Sequence, residues 1–490
     1  MAAKNPPSPG AAKKPPSPGY TQDDFTVPEL PDYVIAELRY DSSVVVAPEG
    51  KFTAPAAALP KANALNQILA AFAVKSFVSH FALPEKKLAA RAKAVTGKDP
   101  KVSADFAHGG FVQIVVEKPK DAPKLAERLA KSDAVWQAYV APRPVPAAMA
   151  TGSAAGSRNF EPAQGYLHSA PNGIGAMEVW GAKGGKGQGV TICDIEGNWN
   201  LRHEDLPSGI ALIGGTPIAQ LAWRNHGTAV LGEMVSRPGD IGTVGIAHDA
   251  KAKVHSVVLG GVFNTAGAIT AAAAALKKGD VILIELQATG PNGNYVAMQY
   301  WNDVFSAIRA ATDEGITVVE AAGNGNENFD QKIYAGTGLQ KDSGAIVVGA
   351  GIPPTNFFDN FGFGTLFAGY SKIGVPRSRI WFSNYGKIVC VQGWGWHVTT
   401  LGYGDAQGGS DEKAWYTHRF SGTSSASPIV TGAVACLQGR AKVKHGKPLT
   451  PAEARKILVA TGTAQVAGPG VPVSQHIGPL PNLVAAMKKL

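Results

Sequence analysis

Strand-type and helix-type segments alternate through residues 189–350, and this alternation is the feature that most constrains the fold. Short runs of Val, Ile and Leu bounded by Gly, Asp or Asn are typical of strands buried on both faces. Ala-rich stretches with helical character, such as 266–278, separate these runs. Strands that alternate with helices form a parallel sheet covered by helices on both faces. The sequence therefore predicts an α/β domain built on a mostly parallel sheet.

Polar residues follow two of the predicted strands. Asp194 ends the apolar run 189–194, and Asn324 follows the run 316–322 after a glycine. In open parallel sheets, catalytic groups and ligands collect at the carboxyl ends of the strands. A histidine, His226, lies in an Asn-His-Gly-Thr stretch that precedes a helical pattern. We therefore expect these three side chains at one edge of the sheet.

Ser424 lies in the small-residue stretch Phe-Ser-Gly-Thr-Ser-Ser-Ala-Ser-Pro, directly before an apolar helical run, 429–437. Small residues let the backbone and a substrate approach the serine closely. A serine at a helix start lies at the positive end of the helix dipole, where a developing negative charge is stabilised. Such a serine is more often a helix cap than a nucleophile, so its function depends on the residues that accompany it.

Taken together, Asp194, His226, Asn324 and Ser424 resemble the motifs of the subtilases, the subtilisin-like serine peptidases, whose triad occurs in the order Asp, His, Ser. The resemblance implies a subtilisin-like fold and a serine endopeptidase that hydrolyses protein or peptide substrates through an acyl-enzyme. In it, Ser424 is the nucleophile, His226 the general base and Asp194 the acid that orients the histidine. The Asn324 amide is expected to stabilise the oxyanion, and the chemistry needs no cofactor.

The alternative is a catalytically idle subtilase-fold protein that serves as a binding or inhibitor scaffold. All four motif residues are intact, which favours the active peptidase. A second histidine, His203, lies closer to Asp194 in sequence, but it matches a position that is structural in subtilases. Covalent labelling of Ser424 by a fluorophosphonate would separate the two functions.

The resemblance also assigns two walls of a primary specificity pocket: Glu285, Leu286 and Gln287 on one side, and Ala322 and Gly323 on the other. Subtilases usually have Ser-Leu-Gly on the first wall, and here Glu320 precedes the second wall. Two acids near one pocket would select basic side chains, or one would be held protonated by its neighbour. In the other interpretation the acids point away from the pocket and pair with Lys or Arg.

A structural calcium site is a further implication of the resemblance. Asp205, in the His-Glu-Asp-Leu stretch 203–206, takes the position of a calcium-binding aspartate. Asp240 lies in the Gly-containing loop 237–243 that follows the predicted His226 helix. Calcium is bound by several oxygens, at least one of them from a carboxylate. The alternative is a plain surface loop in which Asp240 faces water.

Composition divides the chain into four parts. Residues 1–27 are Pro-rich and expected to be disordered, 28–145 have an α+β pattern, 146–164 form a linker, and 165–490 form the peptidase domain. Within the second part the pattern predicts a helix over 64–81. That part resembles the prodomain of subtilases, which assists folding and inhibits the enzyme. The alternative is an accessory domain with no inhibitory role.

The charge is basic but evenly distributed. The chain has 46 Lys and Arg against 37 Asp and Glu, a formal net charge of +9, and no basic run of the kind that binds nucleic acid. Its 3 cysteines are far apart, which argues against a disulfide framework. The N-terminus has no apolar signal-peptide core, and no apolar run is long enough to span a bilayer. The sequence therefore predicts a cytoplasmic protein, or one exported by a route that it does not reveal.

Overall fold

A computed structural model describes five stretches of the chain: residues 28–47, 50–81, 110–146, 159–354 and 374–490. The predicted disordered stretch 1–27 lies outside the described residues, and so does most of the predicted linker.

The N-terminal part of the described chain forms a four-stranded antiparallel sheet with two helices. Its elements in chain order are β1 (Tyr33–Leu38), β2 (Val45–Ala47), β3 (Lys51–Thr53), α1 (Leu59–Ala70), β4 (Val74–Ser79), β5 (Phe111–Val116), α2 (Ala122–Ala130) and β6 (Val135–Val140). The sheet order is β4-β5-β1-β6. In β1, Val34 and Ala36 pack among the residues of the helices, while Tyr33 and Ile35 pack against the larger part of the molecule. Both faces of this small sheet are therefore covered.

The helix predicted over 64–81 is wrong in its second half. Helix α1 ends at Ala70, and the chain continues as strand β4. Val74 and Val78 are β-branched, which favours an extended backbone. Strand β4 pairs with β5, whose residues lie far away in sequence, so local periodicity could not predict the strand.

The remaining elements follow in chain order: β7 (Val145–Pro146), α3 (Ala176–Val179), β8 (Thr191–Glu196), β9 (Ala211–Gly214), α4 (Leu221–Val235), β10 (Lys251–Ser256), β11 (Val258–Leu259), β12 (Val262–Phe263), α5 (Thr265–Ala274), β13 (Val281–Ile284), β14 (Leu286–Thr289), β15 (Tyr295–Ala297), α6 (Asn302–Asp313), β16 (Thr317–Ala321), β17 (Ile346–Gly351), β18 (Val389–Trp394), β19 (Val398–Leu401), β20 (Tyr416–Phe420), α7 (Thr423–His445), α8 (Pro451–Thr461) and α9 (Leu483–Met487).

A parallel sheet in the order β18-β17-β16-β13-β8-β10-β9 forms the centre of this part. Helix α4 packs against α7, α5 packs against α6, and all four helices also contact strands of the sheet. The predicted α/β class with a mostly parallel, helix-covered sheet is confirmed. Because the strands are parallel, the carboxyl ends of β8, β13 and β16 meet at one edge.

Helix α7 runs through the interior, and its side chains are buried almost all round from Thr423 to Gly439. A helix of that kind is stabilised by packing on every side rather than by one apolar stripe. Within the described ranges, no helix combines the length and apolar character needed to cross a membrane.

Candidate active site

The turn that leads into helix α7 presents Ser424. Strand β20 is followed by Ser421 and Gly422, and the helix begins at Thr423. Gly422 has φ of 105°, a conformation that side-chain-bearing residues rarely adopt, so the turn requires glycine. Ser424 therefore lies in the first turn of a 23-residue helix, at the positive end of its dipole.

His226 lies in the second turn of α4 and is fully buried. The helix starts at Leu221, earlier than the sequence pattern predicts. The His226 ring packs edge-on against Phe420, with ring centroids 5.3 Å apart, and this places it beside the turn that carries Ser424. Burial lowers the pKa of His226, so the imidazole is neutral and able to accept a proton.

The carboxylate that meets His226 belongs to Glu196, not to Asp194. Strand β8 was expected to end at Asp194, but it continues to Glu196, whose Oε1 contacts Nδ1 of His226. Asp194 and Glu196 are two residues apart in this strand, so their side chains point to the same face of the sheet. Asp194 lies deeper, and its Oδ2 accepts a hydrogen bond of 2.7 Å from Nε1 of Trp199. Burial raises the pKa of Asp194 to about 7.

The glycine after His226 explains how α4 comes so close to the end of β8. A Cβ atom on Gly227 would lie 2.4 Å from Oε2 of Glu196 and 2.3 Å from the carbonyl oxygen of Asn198. Glycine is therefore required here by the approach of the carboxylate. The sequence signal for Glu196 is that an acid directly precedes Gly197. Gly197 has to be glycine, because a Cβ atom there would lie 2.1 Å from the Trp223 ring.

Asn324 is held in one orientation beside the nucleophile turn. Its Oδ1 accepts hydrogen bonds from the backbone N–H and from Oγ1 of Thr423, both 3.0 Å long. A backbone N–H can only donate, so the amide oxygen must face Thr423. The Nδ2 group consequently points the other way, which is the orientation that an oxyanion donor needs.

The predicted substrate wall is a strand that already has a partner. Leu286 and Gln287 lie in β14, which pairs antiparallel with β7; Leu286 is opposite Pro146, and Gln287 is opposite Val145. Gly323 lies on the other wall, and its N–H donates to Oγ1 of Thr423 over 3.2 Å. A segment from upstream in the same chain thus lies on the edge expected to bind substrate.

The two acids of the predicted pocket are hydrogen-bonded to protein atoms. Oε1 of Glu320 accepts a 2.8 Å hydrogen bond from the backbone N–H of Gln299, and burial raises the pKa of Glu320 to about 8. Oε2 of Glu285 lies 2.6 Å from Oγ of Ser427. In the part of the chain that the structure describes, neither acid forms an ion pair with Lys or Arg.

Burial raises the pKa of Glu285 well above its ordinary value, and the charge of Asp194 raises it further, whereas hydrogen bonds to the hydroxyls of Ser427 and Ser424 act in the opposite direction. The Ser427 Oγ is 2.7 Å from the carbonyl oxygen of Thr423 as well. One hydroxyl proton cannot serve both acceptors. With Glu285 protonated, its O–H donates to Ser427 and Ser427 donates to Thr423, so both contacts are hydrogen bonds.

The two carboxylates expected to bind calcium lie in different environments. Asp205 is buried, and its Oδ2 accepts hydrogen bonds from the N–H of Thr243 at 2.7 Å and from its Oγ1 at 3.1 Å. Asp240 is exposed. Among the described residues, no group of three or more His, Cys, Asp and Glu side chains is arranged to hold a metal ion. Calcium binding stays a prediction.

Comparisons with known proteins identify the family of the chain. The sequence profile of the Subtilase family matches residues 187–478. The "Extracellular protease" of Xanthomonas campestris pv. campestris is 28% identical over 293 residues, which are 58% of this chain and 42% of that protein. The chain thus spans less than half of that relative's length.

Two solved structures are similar to the chain at low identity. Fervidolysin from Fervidobacterium pennivorans, described as a keratinolytic enzyme related to subtilisin, has a TM-score of 0.53 and 16% identity, over 94% of this chain and 61% of its own. A structure from Pseudoalteromonas arctica PAMC 21717 titled "Proteases" has a TM-score of 0.48 and 20% identity, over 68% of this chain and 99% of its own. At these identities the similarity concerns the fold alone.

Proposed function

Since this chain belongs to the subtilase family of serine peptidases, we propose that it is a serine endopeptidase whose acyl-enzyme forms on Ser424. The observation that carries the proposal is the buried contact between His226 Nδ1 and the Glu196 carboxylate, at the edge of the sheet near the first turn of helix α7, which contains Ser424. In a histidine held in this way, Nε2 is the ring nitrogen that acts as the base.

In the proposed reaction, His226 takes the proton from Ser424 Oγ as that oxygen attacks the scissile carbonyl carbon. The tetrahedral intermediate collapses, the C–N bond breaks, and His226 delivers the proton to the leaving amine. Water then attacks the acyl-enzyme with the same base, which releases the carboxylic acid and restores the serine. Glu196 orients the imidazole and stabilises its protonated form, a function that the sequence had suggested for Asp194.

The negative charge of the tetrahedral oxygen requires donors that are already in place. The Asn324 amide group is fixed by Thr423, and the backbone N–H of Ser424 lies at the start of α7. Fixed donors need no reorganisation when the charge develops, so they lower the barrier more than mobile water does.

Ser424→Ala tests the proposal. Hydrolysis of a quenched peptide should fall to a residual level, with an unchanged circular dichroism spectrum, and labelling by a fluorophosphonate should disappear. Ser425→Ala is the matched control, because Ser425 Oγ donates a 2.8 Å hydrogen bond to the carbonyl oxygen of Trp394 and has no function in the proposed reaction. Full activity of Ser424→Ala would contradict the assignment, and wild-type protein that neither reacts nor hydrolyses would favour an idle scaffold.

We also propose that the N-terminal part inhibits the peptidase and assists its folding. Supporting this, β7 lies on the substrate strand β14, with Nε2 of Gln287 donating to the Pro146 carbonyl oxygen over 3.3 Å. A peptide on that edge excludes a substrate from it.

The small sheet is also attached at the starts of two helices. Asp303, in the first turn of α6, accepts a 2.8 Å hydrogen bond from Tyr139 and lies 2.8 Å from Nε2 of His80. Asn264, which caps α5, donates to the carbonyl oxygen of His80 over 2.7 Å. These buried polar contacts fix the orientation of the small sheet on the larger part.

Sequencing the N-terminus of protein purified without inhibitors tests this second proposal. We expect a cut within residues 142–165 in the wild type and an uncut chain in Ser424→Ala, since the cut is made by the enzyme itself. A stable, uncut and fully active wild-type chain would contradict inhibition.

A further inference from the structure

The side chain of Gln287 crosses the space between the two walls of the specificity pocket. It is fully buried, and its Oε1 accepts a 2.7 Å hydrogen bond from the backbone N–H of Asn324 on the opposite wall. The same oxygen lies 3.4 Å from the point where a Cβ on Gly323 would stand. Two other atoms lie near that point: Nδ2 of Asn384 at 2.9 Å and the carbonyl carbon of Val296 at 3.3 Å.

The pairing of β7 with β14 shows where a substrate side chain would go. A peptide that continues the observed register places the residue after Pro146 opposite Glu285, because Leu286 is opposite Pro146. Directly opposite residues of an antiparallel pair share a face. Extending β14 back by one residue puts Glu285 on the same face as Gln287. The side chain of that substrate residue is therefore a diagonal neighbour of Gln287.

That substrate residue is also the one next to the nucleophile. Glu285 contacts Ser427, which lies on α7 one turn beyond Ser424. Within the proposed function, we infer that Ser424 attacks the carbonyl group of the residue opposite Glu285, whose side chain then enters the space between the walls.

We propose that Gln287 restricts this substrate residue to a small side chain, that is Gly, Ala or Ser. The inference rests on the proposed peptidase function and names its substrate class. A larger side chain must displace Gln287 and remove the hydrogen-bond acceptor of the partly buried Asn324 N–H, which is costly. The chain's own sequence fits, since Pro146 is followed by Ala147 and Ala148. The acids Glu285 and Glu320 do not select Lys or Arg, because both are already hydrogen-bonded to protein atoms.

Quenched peptides of the form Val-Pro-Xaa-Ala test the inference with the wild-type protein as purified. With Xaa as Ala, kcat/KM should exceed the values for Phe and Lys by about 10-fold or more, since size exclusion at one pocket discriminates on that scale. A wild-type enzyme that hydrolyses the Phe or Lys peptide as fast as the Ala peptide would overturn it.

Variants of Gln287 identify the residue responsible. Gln287→Gly should raise the ratio of the Phe rate to the Ala rate by about 10-fold or more, and Gln287→Ala by less. A fall in kcat common to all peptides reports the lost hydrogen bond to Asn324 and leaves the ratio unaffected. An unchanged ratio in both variants would overturn the assignment to Gln287, and Gln287→Ala serves if the glycine variant does not fold.

The same experiment separates this inference from the proposed function. Hydrolysis that depends on Ser424 but prefers large side chains overturns only the pocket inference. Absence of hydrolysis from every peptide, together with absence of labelling at Ser424, overturns the peptidase function and the pocket inference with it.

Discussion

The two sides of Ser424 are built differently. On the chemical side, β8 and α4 approach closely because glycine stands at the contact points, as Gly227 does against Glu196. On the substrate side, longer polar side chains, Glu285 and Gln287, fill the positions between strands and bond to protein atoms. Proton transfer tolerates little change in distance, whereas a binding pocket can be reshaped if its buried polar atoms stay bonded.

The largest expected effect comes from the chemical side. Glu196→Gln keeps the shape of the side chain but removes the charge that holds the His226 tautomer, so kcat should fall by about 10⁴-fold, as for the equivalent change in a Ser-His-Asp triad. Asp194→Asn is the matched control, because an amide oxygen can still accept the hydrogen bond from Trp199. It should cost about 10-fold or less. Steady-state kinetics on one peptide measure both.

A larger loss in Asp194→Asn than in Glu196→Gln would break the comparison, because it would return the orienting function to the deeper acid. The structural check is the melting temperature of each variant, since a loss of folding would lower activity for another reason.

The contrast between these two acids also shows the limit of sequence reasoning. The alternation of segments was sufficient to predict the parallel sheet. Small-residue motifs pointed to His226, Asn324 and Ser424, whose catalytic functions stay predictions. The acid was misplaced because Asp194 and Glu196 share a strand face, and an apolar run does not define the last residue of its strand. Gln287 was named as part of a wall, but its path across the pocket depends on Asn324, a tertiary contact that no local pattern contains.

Asn324 connects the two sides and should give the next largest effect. Asn324→Ala should lower kcat by about 10²–10³-fold, the loss measured when subtilisin loses its oxyanion-hole amide, with little change in KM. Asn324→Asp is the matched variant, because it keeps an oxygen facing the N–H of Thr423 but has no amide donor. Both should be slow; an effect confined to KM would remove Asn324 from transition-state stabilisation.

The pH dependence of the free energy of unfolding tests whether Glu320, a buried acid on the substrate side, holds a proton in the folded state. Its pKa is about 8 in the folded protein and near 4.5 when unfolded, so between these values the folded state binds the extra proton. The free energy of unfolding therefore falls as the pH rises from about 4.5 to 8, by on the order of 4 kcal/mol from this group. Glu320→Gln does not titrate and should gain stability over the wild type as the pH rises.

Thermal melts at pH 5 and pH 8, in a Ser424→Ala background that prevents self-digestion, measure the Glu320 effect. A gap between Glu320→Gln and its parent that stays constant with pH would show that Glu320 does not hold a proton in the folded state.

The smallest expected effect concerns the region behind the chemical side, where calcium remains a proposal. Asp205 and the loop that carries Asp240 lie at the far end of α4, and the Asp205 carboxylate now accepts hydrogen bonds from Thr243. A cation bound there has to compete with those donors, so calcium should raise the melting temperature by only about 3 °C over an EGTA-treated sample. Asp240→Asn should abolish that rise without changing the melt in EGTA, because Asp240 is exposed. The site would be contradicted by a melting temperature that does not respond to calcium, in protein that contains no calcium by elemental analysis. The buried Asp205 carboxylate would then serve only to accept the hydrogen bonds from Thr243.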